Sequence, residues 1–275
     1  MNDLQKKAFE LLGIFVGICE KWDIPYYLVC GSALGAVKYQ GFIPWDDDID
    51  VGLLRKDYER FLKVAPGELP EWCFLQNYRT EPNFPHTFTK LRNSNTTFFE
   101  KSNVILGIHQ GINIDIFPLD GRPEGRLAQW KFQLRQKIYN WMRFCVFRND
   151  PNPRIRLRNA LFRLAGFHRR IPWVQEKIEC MYSAYPPEQS EVWCNYGNWQ
   201  GKLEYAPKWH YGEGAWVTFE GLRVRIPENY DAYLTQKYGD WRSDPPLEKQ
   251  KSHHISTIID AEKPYTYYVN GNETA

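Results

Sequence analysis

Apolar residues recur at helical spacing from the start of the chain. Leu4, Ala8, Leu11, Leu12, Phe15, Ile18 and Cys19 share one face, which predicts an amphipathic helix over residues 3–21. After Pro25 the run YYLVC (26–30) reads as a short buried strand. Gly31-Ser32 then turns the chain, and SALGAVKYQ predicts a helix with Ser32 as its N-cap. Residues 49–54 predict a second strand, and RKDYERFLKVA (55–65) a helix closed by Pro66-Gly67. Three strand candidates follow, WCFLQN (72–77), HTFTKLR (86–92) and NTTFFE (95–100). GINIDIFPL (111–119) alternates and is β-branched, a further strand expected to end at Pro118. This order predicts an α+β fold, a mixed sheet with flanking helices.

Beyond residue 122 the period changes. Residues 124–148 have a helical pattern, DPNP (150–153) breaks it, and RIRLRNALFRLAGFHRR resumes it. Leu157, Ala160, Leu161, Leu164 and Phe167 form one stripe there, flanked by arginines. PWVQEKIECMYSAY (172–185) predicts a third helix. AWVTFEGLRVRIP (215–227) has the form of a hairpin turning at Glu220-Gly221. PENYDAYLTQKYG (227–239) is bounded like a helix, with Pro at its start and Gly at its end. WRSDPP leads into a C-terminus expected to be irregular.

Composition changes this picture in one respect. With 43% apolar and 16% aromatic residues among 275, the chain can bury a sizeable core and is not disordered. The net charge of +2, however, averages two unlike regions. Between Arg122 and Arg170 thirteen Lys/Arg face two acids, Glu124 and Asp150, so the remainder is net acidic. The expected division is a core over 1–121, a basic helical insert over 122–185 and an aromatic-rich part over 186–275 completing the cleft. Six scattered cysteines give no CxxC and no zinc spacing. The N-terminus lacks signal-peptide character, and no apolar run is long enough to span a bilayer. A cytoplasmic protein with reduced thiols is expected.

The densest candidate chemistry is GFIPWDDDIDVGL (41–53), with Asp46, Asp47, Asp48 and Asp50 in five positions. A metal site, a helix cap and a plain acidic turn are all consistent with it. On a strand Asp48 and Asp50 would share a face while Ile49 and Val51 turn to the core, with Asp47 pointing away. Paired carboxylates repel unless a cation or a shared proton intervenes, and Mg²⁺ or Mn²⁺ suits oxygen donors. The helix opened by Gly31 and Ser32 offers free N–H groups to a phosphate. Asp115, between Ile114 and Ile116, is costly to bury unless held by charge or hydrogen bonds. Such a set serves metal-assisted phosphoryl or nucleotidyl transfer.

GSALGAVKYQGFIPWDDDIDVGLLRKDYERF resembles the signature of the LicD family, which includes fukutin and fukutin-related protein. FTKLRNSNTTF, HQGINIDIFPLDG and FEGLRVRIPENYDAYLTQKYGDW extend the resemblance over residues 25–120 and 215–245. His109-Gln110 departs from the His-Gly usual there. The resemblance implies a nucleotidyltransferase-like fold and Mg²⁺-dependent transfer of a phospho-alcohol from a CDP-activated donor to a sugar hydroxyl, releasing CMP. CDP-choline and a teichoic acid or lipopolysaccharide glycan, lipid-linked or free, are the implied partners. Asp48, Asp50 and Asp115 would be metal ligands, and Asp115 or Asp46 the base toward the acceptor. Lys90 and Arg92 would hold donor phosphates, or else form a solvated strand edge; Gly31 and Ser32 would meet phosphate.

Rival readings are another CDP-alcohol (ribitol, glycerol, ethanolamine), nucleotidylyl transfer from a nucleoside triphosphate, and a glycan-binding scaffold with a degenerate site. Choline calls for an aromatic cage, and Trp193, Tyr196, Trp199, Tyr205, Trp209, Tyr211 and Trp216 are its candidates, with an aromatic core as the alternative. His253-His254 lack a third ligand nearby. Tyr238-Gly239-Asp240-Trp241 either closes the cleft or packs. The basic insert reads as a solvated face or as a peripheral contact with anionic lipid on the inner face of the cytoplasmic membrane; no nucleic-acid motif accompanies it.

Overall fold

The computed structural model describes residues 1–100, 107–146, 152–198, 201–252 and 256–269. Helix α1 (Asp3–Lys21) is closed by a capping box, with Asn2 and Gln5 exchanging side-chain-to-backbone hydrogen bonds. There follow β1 (Tyr27–Leu28), α2 (Cys30–Tyr39), β2 (Asp50–Leu54) and α3 (Arg55–Val64). Then come β3 (Cys73–Gln76), β4 (Thr89–Asn93), β5 (Thr97–Glu100) and β6 (Asn113–Gly121). The middle is helical: α4 (Arg126–Arg143), α5 (Pro153–Leu164) and α6 (Ile171–Ser183). The last third holds β7 (Val192–Cys194), β8 (Tyr205–Pro207), α7 (Lys208–Tyr211), β9 (Ala215–Phe219), β10 (Leu222–Ile226), α8 (Tyr230–Tyr238), β11 (Ser256–Asp260) and α9 (Tyr265–Val269).

The main sheet runs β1-β2-β6-β4-β3, and β7 and β8 extend it from the end of β6. The β2–β6 pair is parallel and the other pairs antiparallel, so the sheet is mixed and flanked by helices, as the sequence pattern predicts. Alternation sorts the two faces. Ile49, Val51, Leu91, Ile114 and Ile116 are fully buried in a core shared with α1 and α3, which meet through Phe15 and Phe61 at 5.0 Å between rings. The intervening residues carry the polar chemistry. A second cluster of Phe132, Val174, Ile178, Tyr182, Cys194 and Tyr196 holds the helical middle together.

That middle is fastened to the sheet by charge. Arg55 reaches Asp120 on β6 through two parallel hydrogen bonds of 2.8 and 2.7 Å and Glu179 on α6 at 3.0 Å. Asp120 is wholly buried, so this fork is its compensation. The last third joins the same sheet through β7, where Cys194 lies opposite Asp120 and Trp193 opposite Gly121, while β9 and β10 pair in a sheet of their own.

Four expectations are corrected. Strand β6 continues through Pro118 to Gly121. Its residues alternate in the neighbour they address, and Pro118 falls after the last β4 partner (Ile116) and before the first β7 partner (Asp120). No neighbour there asks for the missing N–H. Strand β2 begins at Asp50, so Asp48 precedes it rather than sharing its pleat, because pairing with β6 starts at Asp50. Ser32 is no cap: α2 begins at Cys30, with Val29 as a cap lacking a side-chain bond. The C-terminal region is not irregular throughout, since β11 pairs with β5 in a separate two-stranded sheet.

Candidate active site

Two glycines of GSALG bring the acidic loop onto α2. A Cβ on Gly35 would lie 2.4 Å from the Gly41 carbonyl, and one on Gly31 2.8 Å from Asp46 Oδ2. Small residues here are what let residues 41–46 lie against the helix and put the Asp46 carboxylate over its first turn. Other groups fix the same loop. Gln5 Nε2 donates to the Asp46 carbonyl at 2.8 Å, and the Phe42 N–H donates to Glu220 at the hairpin turn. Just before Gly31, Cys30 has φ 52°, left-handed for a residue with a Cβ, and its N–H is held by the Tyr233 hydroxyl at 3.1 Å.

Sheet register places the remaining acids. Asp50 lies directly opposite Asp115 across the parallel pair, and Lys90 of β4 directly opposite Asp115 on its other side. These three side chains therefore stand in a row on the polar face. Lys90 Nζ sits 2.9 Å from Asp115 Oδ1, which also accepts from Asn113 at 2.7 Å. The Asp50 N–H donates to Ser32 Oγ at 2.8 Å, so Ser32 ties α2 to the first residue of β2.

Asp46, Asp47 and Asp48 each bring one carboxylate oxygen within 4.8 Å of the others. Asp47 thus does not turn away from its neighbours, although one of its oxygens accepts from Ser252. Burial, then Asp48 and Asp47, push the Asp46 carboxyl up to about 8. Asp50 is held well above the usual carboxylate range by burial first, then by Asp48, Asp115 and Asp46, with Lys237 opposing. Asp48 adjoins both groups and links the loop acids to the sheet acids. Mutual repulsion among closely set carboxylates favours a cation, and an all-oxygen donor set fits a hard divalent ion. Among the described residues, Asp46, Asp47 and Asp48 are the acids whose oxygens lie close enough to share an ion, with Asp50 and Asp115 on the adjoining strands. A recess lined by Asp47, Asp48, Lys90, Glu100 and Asn113 opens beside them.

Arg92 does not share this cleft. It is fully buried, and its guanidinium donates to Gln76, to the Gly111 carbonyl at 2.6 Å and to Asn113 Oδ1 at 2.9 Å. Its position cross-links three segments around the base of β6. His109 is likewise structural, stacked on Phe74 and tilted against Tyr265, with Nδ1 accepting from the Gly111 N–H. His253, His254 and Trp199 lie outside the described residues.

The aromatic candidates mostly form core. Trp193, Tyr196 and Tyr211 are buried, Tyr196 stacked on Tyr182 and Tyr211 packed on Tyr27 and Tyr233. Tyr205 packs on Tyr196, Trp209 is exposed, and Trp216 is exposed under Arg223. The tail motif divides its work. Trp241 is buried, while Tyr238, 37% exposed, stands near Cys30, Asp50 and Asp46, where partial burial first and then the neighbouring acids raise its phenol.

Sequence reasoning missed Lys237 and Glu204, a buried ion pair next to Cys30 and within the field of Asp50. Lys237 sits on the inward face of α8, one residue before Tyr238, and helical periodicity there was the available signal. Burial keeps the Cys30 thiol well above its ordinary range, so it stays protonated.

Comparison with known proteins agrees with this geometry. Residues 23–147 match the family model described as LicD/FKTN/FKRP, nucleotidyltransferase domain. Over 264 residues the chain is 29% identical to the lipopolysaccharide cholinephosphotransferase LicD of Haemophilus influenzae, covering 93% of this chain and 96% of that protein. Shorter matches, 38% identical over 65 and 66 residues, link it to uncharacterized proteins of Rickettsia typhi and Rickettsia prowazekii, about a fifth of each. The Gly31 approach, the DDDID loop and the Asp50–Asp115 register all lie inside the matched span, so residues 23–147 carry a LicD-family domain.

Proposed function

We propose that this protein transfers phosphocholine from CDP-choline to a sugar hydroxyl of a lipopolysaccharide-type glycan, releasing CMP. LicD proteins are transferases, and similarity to the Haemophilus influenzae cholinephosphotransferase over nearly the whole of both chains supports this donor and acceptor class. The observation that carries the reading is the row Asp50–Asp115–Lys90 across β2, β6 and β4, with Asp46 and Asp48 closing on it. A nucleotidyltransferase-like core with carboxylates on adjacent strands would present its site in this way.

Asp48, Asp50 and Asp115 would hold Mg²⁺, with Mn²⁺ as a substitute, and Asp46 adjoins them. The ion when bound supplies charge neutralisation to the donor diphosphate. Everything else falls to this chain. The α2 N-terminus at Gly31 and Ser32 faces the diphosphate with backbone N–H groups. Burial, then Asp48 and Asp47, raise Asp46; with that repulsion offset by a bound cation, its carboxylate is free to take the proton of the acceptor hydroxyl. The acceptor oxygen forms the new bond to the choline-bearing phosphorus as the bond to CMP breaks, and the proton passes to Asp46. Lys90 keeps Asp115 aimed at the cleft. The cationic headgroup would be recognised beside Tyr238, whose phenol feels Asp50 and Asp46, rather than by a cage between residues 193 and 216.

A panel of CDP-alcohols tests the donor. With Mg²⁺ and lipopolysaccharide as acceptor, CDP-choline should release CMP with the highest kcat/KM, well above CDP-ribitol, CDP-glycerol and CDP-ethanolamine. Preference for a polyol donor would refute the choline assignment.

A further inference from the structure

Helix α4 has two apolar faces where a core-covering helix needs one. Phe132 and Met142 point into the second core. On the other side Leu127, Trp130, Leu134, Ile138 and Trp141 are 65%, 60%, 44%, 45% and 49% exposed. At 100° per residue these five fall within an arc of about 80°. Exposed Arg126 and Lys137 border the row on one side and Lys131 and Arg135 on the other. Helix α5 adds a second exposed row, Leu157, Leu161 and Leu164, at 65%, 59% and 85%. Arg158 of α5 stands 5.9 Å over the Trp141 ring, so the two rows adjoin.

Eight large apolar side chains in water are more than a monomeric soluble protein ordinarily leaves uncovered. The cover must also suit the exposed cations beside the row, Arg126, Lys131, Arg135 and Lys137, in a segment that is strongly basic in sequence. Nucleic acid would meet the cations but give the leucine rows nothing to bury. An anionic bilayer satisfies both, with indoles at the headgroup level, aliphatic side chains just beneath and cations on lipid phosphates. No helix among the described residues is long and apolar enough to cross, so the contact is in the plane of the surface.

We propose that α4 and α5 form a docking surface for an anionic lipid bilayer, with the Trp130–Leu134–Trp141 row seated in the headgroup–acyl boundary. Leu157, Leu161 and Leu164 of the sequence stripe belong to this surface, whereas Phe167 packs on Phe162 against the second core; the larger part lies on α4. Docking is independent of which group the enzyme transfers, so its test stands apart from that of the donor.

The test is co-sedimentation of the full chain with vesicles of phosphatidylcholine alone or mixed with phosphatidylglycerol. Binding should require phosphatidylglycerol and weaken as salt rises. The double variant Trp130→Ser/Leu134→Ser should lower the partition coefficient by about tenfold or more. Arg126→Gln/Lys131→Gln/Arg135→Gln should abolish the preference for the anionic lipid. All five positions are exposed, and unchanged thermal unfolding of the variants confirms that folding is intact. Three results would overturn the proposal: equal partitioning of parent and double variant, binding to RNA without binding to vesicles, or a dimer that Leu134→Ser dissociates.

Discussion

Gly31 lacks a side chain where Asp46 needs the space, since a Cβ there would stand 2.8 Å from Asp46 Oδ2. The obstructing atom ends a movable side chain, so Gly31→Ala should fold with its Tm little changed while the carboxylate is displaced. An expected loss of about tenfold or more in kcat/KM corresponds to about 1.4 kcal/mol of transition-state stabilisation; steady-state kinetics beside a melting curve checks both halves. His109 has a different, purely structural consequence. Burial, then Arg92, lower its imidazole to about 3 from an ordinary 6.5. The unfolded chain therefore takes up this proton first. The neutral ring's contribution is intact above pH 6.5, and is lost as pH falls from there toward 3, by about 1.4 kcal/mol per pH unit. His109→Asn keeps an acceptor for the Gly111 N–H, and should flatten the pH dependence of unfolding free energy between pH 6 and 4.

Among the elements, the central one is the parallel pair β2–β6, which sets Asp50 opposite Asp115. The alternation of IDVGL and NIDIF told which residues share a face, and the family signature singled out Asp50 and Asp115 among them as candidates. Register between the strands was not legible, because pairing partners 65 residues apart in sequence leave no local pattern. Periodicity could place Lys237 on the inward face of α8, but its pairing with Glu204 was no more legible, because it depends on α8 docking over the turn that precedes β8. Pro118 misled for a physical reason, since a proline is harmful only where a neighbouring strand needs its N–H. Arg55 shows how the elements are bound together. Arg55→Met would strip Asp120 of both hydrogen bonds while leaving it buried, and should destabilise the fold by about 3–5 kcal/mol. Adding Asp120→Asn should recover part of that loss, measured by urea unfolding.

Across the whole molecule, charge is partitioned by task. The acidic body gathers carboxylates at the end of α2 and along one face of the sheet, while the helical middle concentrates cations around exposed apolar rows. A glycan acceptor carried on lipid would meet the enzyme at a membrane surface, which gives the second feature a use for the first. The central claim is that the carboxylate row works a CDP-alcohol by way of a divalent cation. Its most direct test is product identity from purified protein given CDP-choline, Mg²⁺ and lipopolysaccharide, with and without Asp50→Asn. The account predicts CMP formed in equal amount to glycan-bound phosphocholine, absent after chelation and reduced at least a hundredfold, about 2.7 kcal/mol, in the variant. Pyrophosphate released from a nucleoside triphosphate instead, or CMP release indifferent to Asp50→Asn, would contradict it.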